Sequence, residues 1–249
     1  MTDIISKKEI LSQLHGDTIP VYVFDEIDST NRFAKTLNED FALVVSDTQS
    51  MGRGRLGRSF HSPKGVGIYM SVKAKIEDLY NSVPFVTTLS AVAVHQSIKD
   101  LFGADCSIKW VNDIYIGSKK VSGILCEAVD ASHAVIGIGI NFYPSPLPKE
   151  LEGIATSLSA CPSPVSRSIL AGRICNALLK LIKKLPDTQF MEYYKANSCV
   201  LGKRVLCIQG DESFPAIAKD IDPFGALVVE TSTGPRTLST GEITLRFTD

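Results

Sequence analysis

SIKW at 107–110, DIYI at 113–116, VSGILCEAV at 121–129 and HAVIGIGINF at 133–142 are the stretch on which the fold turns. Each run is rich in β-branched or aromatic residues, and polar or glycine-containing turns separate them. Consecutive strands joined so closely pair antiparallel. Alternation in the first run puts Lys109 on the face opposite Ile108 and Trp110. Upstream, VYVF (21–24), FALVVS (41–46) and GIYMSVKA (67–74) read as three more strands. Helical spacing predicts a short helix over 4–14 and a second from Ser29 or Thr30 that turns Phe33, Ala34 and Leu37 inward. A long apolar helix is expected to begin near Pro84 and to stop before Gly103. After the proline-rich loop YPSPLP (143–148), Ser166 caps a helix that carries Ile169, Leu170, Ile174, Leu178 and Leu181, and a shorter helix follows at about 188–196.

From about residue 200 the pattern changes to VLCI, AIAKDI, ALVV, RTL and ITLRF, separated by Gly-Asp, Pro-Phe-Gly and Thr-Gly-Pro turns. Helices and strands intermix without βαβ regularity, so the class is α+β, with a mixed, mostly antiparallel sheet. Two domains are expected, 1–199 and a small β-barrel at 200–249.

The 249 residues carry 26 basic and 27 acidic side chains, a net charge of -1 that gives no global field for nucleic acid or anionic membranes. No run approaches the roughly 18 apolar residues of a membrane span, and the N-terminus lacks an apolar signal core, so a cytoplasmic protein is expected. Cys106, Cys126, Cys161, Cys175, Cys199 and Cys207 are far apart, without a CxxC pair or clustered histidines. Reduced thiols are expected, with no metal-ligand set; Cys126 and Cys175 sit in apolar runs as small hydrophobes.

In GRGRLGR (52–58), Arg53, Arg55 and Arg58 alternate with glycines. Glycine permits close backbone approach, and arginine supplies a permanent charge with a fork of donors, which suits an anionic ligand. The same pattern also fits a solvated loop or an RNA-contacting segment. It lacks the GKS or GKT of a P-loop, and it reads as neither helix nor strand. Lys109 is either a partly buried lysine that needs an anionic partner or a solvated lysine on an edge strand.

Taken together, the motifs resemble those of the biotin protein ligases. GRGRLGR (52–58), KWVNDI (109–114), KVSGILCE (120–127) and GIGIN (137–141) match that family's signatures in order. Asp28-Ser29-Thr30-Asn31, Gln49 and GEITLR (241–246) match three more, so the resemblance spans nearly the whole chain. Val111 stands where the family usually has proline, and Phe60 where tryptophan is common. Regulatory members carry an N-terminal winged helix. Only about 20 residues precede the first strand here, and DNA binding is not expected.

The resemblance implies an ATP-dependent enzyme that forms biotinyl-5'-AMP and passes biotin to a lysine of a biotin carboxyl carrier domain, in acetyl-CoA carboxylase or another biotin-dependent carboxylase. ATP and biotin would be substrates, with Mg²⁺ accompanying the nucleotide. It implies an SH3-like C-terminal domain and leaves a homodimer open. Lys109, Arg53 and Arg55 would be catalytic. Ser29, Thr30, Asn31, Gln49, Arg53, Gly54, Arg55 and Lys109 would hold biotin, with Gly123, Gly137 and Gly139 making room for its bicyclic ring. Gly52, Arg53, Arg55, Arg58, Phe60, Asn112, Lys120, Asn141 and Arg246 would meet ATP or the adenylate, with Asp113 a charge partner. Each of those three strand glycines is equally a site for a bulge, and Lys120 and Asp113 are equally surface charges. A lipoate-type ligase of the same fold and a non-catalytic biotin sensor are the alternatives.

Overall fold

The computed structural model describes residues 3–16, 18–159, 163–209, 211–239 and 243–247, without the side chains at 80, 81, 83, 84, 209 and 243–247. In chain order the first part runs α1 (Lys7–Ser12), β1 (Val21–Phe24), α2 (Thr30–Thr36), β2 (Phe41–Ser46), β3 (Gly67–Lys75), α3 (Leu79–Phe102), β4 (Cys106–Lys109), β5 (Asp113–Ile116), β6 (Lys119–Ala128) and β7 (His133–Asn141). Helices α4 (Arg167–Ile182) and α5 (Phe190–Ala196) follow. The chain ends in β8 (Arg204–Gln209), β9 (Glu212–Ile221), β10 (Leu227–Thr231), β11 (Gly234–Leu238) and β12 (Ile243–Phe247).

One seven-stranded sheet has the order β1-β2-β3-β7-β6-β5-β4, and a five-stranded sheet the order β11-β10-β9-β8-β12. Every pairing is antiparallel except that of β1 with β2. The α+β class read from the sequence is therefore correct, as is the small C-terminal β unit. Ser166 caps α4 as expected, its hydroxyl accepting from the Ile169 N–H. No described helix is long and apolar enough to cross a membrane.

Two expectations need correction. Helix α1 is shorter than 4–14 because Ser6 caps it, accepting from Glu9 N–H at 3.3 Å, which leaves Ile4 outside the helix and exposed. Helix α3 starts at Leu79 and runs through Pro84. The Ser82 N–H closes its first turn on the Asp78 carbonyl, and Leu79 is buried in the core. That burial offsets the one backbone bond that Pro84 cannot make. At the far end, Gly103 (φ 59) takes the left-handed turn that stops the helix.

The large sheet has two different faces. Helices α3 and α4 cover one, over a core that includes Leu43, Ile68, Met70, Ile136, Ile138, Ile140, Leu170, Ile174 and Leu178. Helix α2 covers part of the other, with a smaller cluster of Ala34, Val44 and Val135. On that face the register lines up Val44, Ser71, Gly137 and Leu125 in one row, and Ser46, Tyr69, Gly139, Gly123 and Asp113 in the next. The rows are small or polar just beyond the reach of α2, and the face stays open there.

The two sheets meet at Trp110, whose indole N–H donates to the Gly225 carbonyl at 2.9 Å. Lys195 on α5 pairs with Asp220 on β9 at 2.9 Å. Arg167, at the start of α4, is 1% exposed. Its guanidinium donates to Asp47 at 2.6 Å, to the Gly67 carbonyl at 2.9 Å and to the Asp3 carbonyl. Asp47 and Gly67 are the two stems of the loop between β2 and β3, so one buried cation fastens both.

Replacing Arg167 with methionine leaves the Asp47 carboxylate without its short partner, and such a loss costs about 3–5 kcal/mol. Urea unfolding should register it as a lower midpoint. An unchanged midpoint would mean that the loop stems are held by something else.

Candidate active site

The open face carries a cavity of about 310 Å³ beside the first turn of α2. Ser29 is the N-cap of α2, accepting from the Arg32 N–H, and Thr30 and Asn31 open the helix. All three side chains are buried and line the cavity. Gln49 reaches them from the loop: its Oε1 accepts from Thr30 N–H at 2.9 Å, and its Nε2 donates to Ser62 Oγ at 3.1 Å. This end of the cavity is polar and neutral.

The other end is cationic. Arg53, Arg55, Arg58, Lys109 and Lys120 line it, with Asp113 as a carboxylate among them. Arg55 donates to Asn112 Oδ1 at 2.9 Å, and Asn112 in turn donates to the Ile124 carbonyl at 2.8 Å. Burial is the largest influence on Arg55 and pulls its pKa down, while Asp113 pulls it up. Lys120 pairs with Asp113 at 2.6 Å, so the two are joined charges at the cavity rather than separate surface ones. Lys109 donates to Tyr115 Oη at 3.2 Å and lies 4.9 Å from the centre of that ring. Burial pushes the Tyr115 phenol up to about 12, so it stays a neutral partner.

The arginine loop has more structure than the sequence suggests. It forms a single 3-10 turn at Arg55–Gly57 and a bridge between Arg53 and Ser59. Gly54 N–H donates to the Arg58 carbonyl at 2.7 Å, and Phe60 N–H to the Gly52 carbonyl at 2.9 Å. The turn needs positive φ at Leu56 (56°) and Gly57 (71°). Glycine supplies this freely, whereas an L side chain there costs about 1–2 kcal/mol.

The strand glycines make room first for protein. A Cβ at Gly137 would overlap the Asn31 carboxamide, one at Gly139 would overlap the Phe60 ring, and one at Gly123 would stand 2.8 Å from Lys120 Nζ. All three border the cavity, with Gly54, Phe60, Asn112 and Asn141. Gly52 does not. It lies behind the wall, where a Cβ would meet the Phe60 carbonyl and Ser62. Arg246 is on β12 in register with Leu206, and its side chain lies outside the described residues, as do residues 241–242 of the GEITLR motif and Cys161. The cavity also uses Tyr115, Leu147, Leu151 and Ile154, which the sequence reading passed over. Leu147 lies within YPSPLP, and Leu151 and Ile154 follow it.

Cys126 abuts the site, with burial pushing its thiol up to about 11, in keeping with an inert small hydrophobe. Among the described residues no group of three or more His, Cys, Asp or Glu could hold a metal ion.

Residues 23–141 match the biotin/lipoate A/B protein ligase family, and residues 200–246 match the biotin protein ligase C-terminal domain. The bifunctional ligase/repressor BirA of Bacillus subtilis is 34% identical over 260 residues, covering 97% of this chain and 79% of that one. The chain belongs to the biotin protein ligase family. Another member, the biotin--[acetyl-CoA-carboxylase] ligase of Mycobacterium tuberculosis, is 28% identical, over 87% of this chain and 83% of its own length. The biotin protein ligase from Aquifex aeolicus, solved in complex with biotin and ATP, superimposes with a TM-score of 0.80 at 25% identity, over 92% of this chain and 99% of that one.

In this ligase Phe60 holds the loop down by occupying the space above Gly139. Gly139→Ala should expel the ring and loosen the loop, so that trypsin cuts after Arg55 or Arg58 sooner than in the parent. Equal cleavage rates would show that Phe60 does not anchor the loop.

Proposed function

We propose that this biotin ligase joins the biotin carboxylate to the α-phosphate of ATP, expelling pyrophosphate, and then passes the biotinyl group from the adenylate to a lysine ε-amine of a biotin carboxyl carrier domain, releasing AMP. The observation that carries this reading is that one cavity has a neutral hydrogen-bonding end at Ser29, Thr30 and Gln49 and a cationic end at Arg53, Arg55, Arg58, Lys109 and Lys120. A neutral cyclic urea suits the first end, and a carboxylate beside a triphosphate suits the second.

The chemistry brings two anions together, so charge repulsion is the barrier to lower. Lys109 and the loop arginines would neutralise the carboxylate and phosphate and stabilise charge that develops at phosphorus. No nucleophile from the protein is needed. The Asn112 carboxamide, already bonded to Arg55, orients that guanidinium across the cavity. Asn141 borders the nucleotide end, and Arg246 would reach it from the C-terminal domain. Leu147, Leu151 and Ile154 would exclude water from the labile anhydride. Mg²⁺ would accompany the triphosphate and shield its charge. The same reading divides the chain into a substrate-binding part, 1–199, and an SH3-like part, 200–249, clasped through Trp110 and Gly225.

Pyrophosphate release from ATP should require biotin and proceed without acceptor. Lipoate should substitute poorly, and faster turnover with lipoate would reverse the substrate assignment. Lys109→Ala should lower biotin-dependent turnover about 10²–10³-fold with native circular dichroism. Parent-like turnover at saturating ATP would return Lys109 to a solvated strand position.

Arg55→Gly removes a charge-assisted contact worth about 1.5–3 kcal/mol. Adenylate escape should quicken by roughly tenfold to a hundredfold. The variant should then biotinylate serum albumin in the same tube, which the parent should leave unmodified. Equal retention of adenylate by parent and variant would show that Arg55 does not hold it.

A further inference from the structure

Strand β5 brings two residues to the cavity, Asp113 and Tyr115, two positions apart and so on one face of the sheet. Asp113 pairs in register with Lys109 and stands in the row that contains Gly123 and Gly139. Thr30 marks the row before it, since its hydroxyl meets Ser71, which pairs with Gly137. Tyr115 marks the row after it, about 7 Å farther along the strands. The register shifts between Ile114 and Tyr115, so β6 carries one extra residue, and Tyr115 stands opposite Lys120 rather than Val121. Asn141, at the end of β7, borders the cavity in that same row. A phenol, an ammonium and a carboxamide are thus gathered there, and each can donate a hydrogen bond.

The direction of the Tyr115 hydroxyl follows from its neighbour. Lys109 Nζ can only donate, so Tyr115 Oη is the acceptor in their contact at 3.2 Å. The phenol's own proton points elsewhere, and among the described residues no group accepts it. Burial pushes the phenol up to about 12, so the proton stays on it at neutral pH. An ammonium on its oxygen polarises the O–H and makes it a stronger donor. What the cavity offers at Tyr115 is a neutral, polarised donor that awaits an acceptor from the ligand.

We infer that Tyr115 is a further catalytic residue, whose O–H donates to the β-phosphate of ATP and holds that oxygen as pyrophosphate departs. The inference rests on the proposed reaction: with the urea ring at Thr30 and the reacting carboxylate and α-phosphate at Lys109, the remainder of the triphosphate reaches the row of Tyr115. In the step itself a carboxylate oxygen of biotin forms the new bond to the α-phosphorus. The bond from that phosphorus to the bridging oxygen breaks, and its electron pair leaves on pyrophosphate. No proton is transferred; the Tyr115 donor stabilises the charge that gathers on the leaving group. The adenylate keeps no β-phosphate, so Tyr115 has no part in passing biotin to the carrier.

Tyr115→Phe keeps the ring beside Lys109 and removes the O–H alone. Two reactions that start from biotinyl-5'-AMP separate the roles: formation of ATP with inorganic pyrophosphate and Mg²⁺, and transfer to the carrier domain. The pyrophosphate concentration that gives half-maximal ATP formation should rise about tenfold or more, the worth of one hydrogen bond to a charged group. Transfer to the carrier should stay within about twofold of the parent. The rise should persist when Tyr115→Phe is placed on the Lys109→Ala background, because Tyr115 makes the contact itself. A parent-like pyrophosphate dependence or an equal loss in carrier transfer would overturn the inference. So would a rise that vanishes without Lys109, which would make Tyr115 only a support for that lysine. A parent that forms no ATP from the adenylate and pyrophosphate would reject the proposed reaction, and this inference with it.

Discussion

The first turn of α2 approaches the large sheet closely enough that the Asn31 carboxamide occupies the space above Gly137. Glycine within a strand weakens it, by roughly 0.5–1 kcal/mol relative to alanine. Here the missing side chain admits a buried amide that bonds to β3 through Ser71 and to β6 through Glu127 and the Leu125 carbonyl. Ser29, Thr30 and Gln49 are positioned by that approach, and so is the neutral end of the cavity. The same logic repeats one row along, where Gly139 admits the Phe60 ring and brings the arginine loop over the sheet.

The loop is held by a second set of interactions. Arg167 fastens both of its stems from the other side of the sheet, while Arg55 reaches Asn112 at its tip. The cationic end of the cavity thus depends on elements far apart in sequence: a loop after β2, a turn after β4 and the start of α4. Trp110 extends the dependence to the C-terminal sheet, because the residue beside Lys109 is tied to the turn at Gly225.

Much of this is legible in the sequence. Alternating and apolar runs marked the strands, Ser29 and Ser166 marked helix starts, and Gly103 marked a stop, because each of those signals is local. The start of α3 was not legible, since a burial term at Leu79 offsets the local cost of Pro84. The occupants of the space above Gly137 and Gly139 were not legible either, because nothing in a strand reveals which side chain from elsewhere will fill it. Leu147, Leu151 and Ile154 were missed for a related reason: a proline-rich connection shows no periodicity that would aim its apolar residues at a cavity. Arg53, Arg55 and Lys109 drew attention because charges in apolar or glycine-rich surroundings invite a question about their partners, whereas Lys120 came only with the family resemblance; all four line the cavity.

The proposed function requires the neutral and cationic ends of one cavity to activate biotin and transfer it together. The most direct measurement is the intact mass of a biotin carboxyl carrier domain after incubation with this protein, biotin and ATP with Mg²⁺. A single added biotinyl group on the carrier, absent when ATP or biotin is omitted, is the expected result. An unchanged carrier mass in the complete mixture, with the carrier lysine accessible, would contradict it.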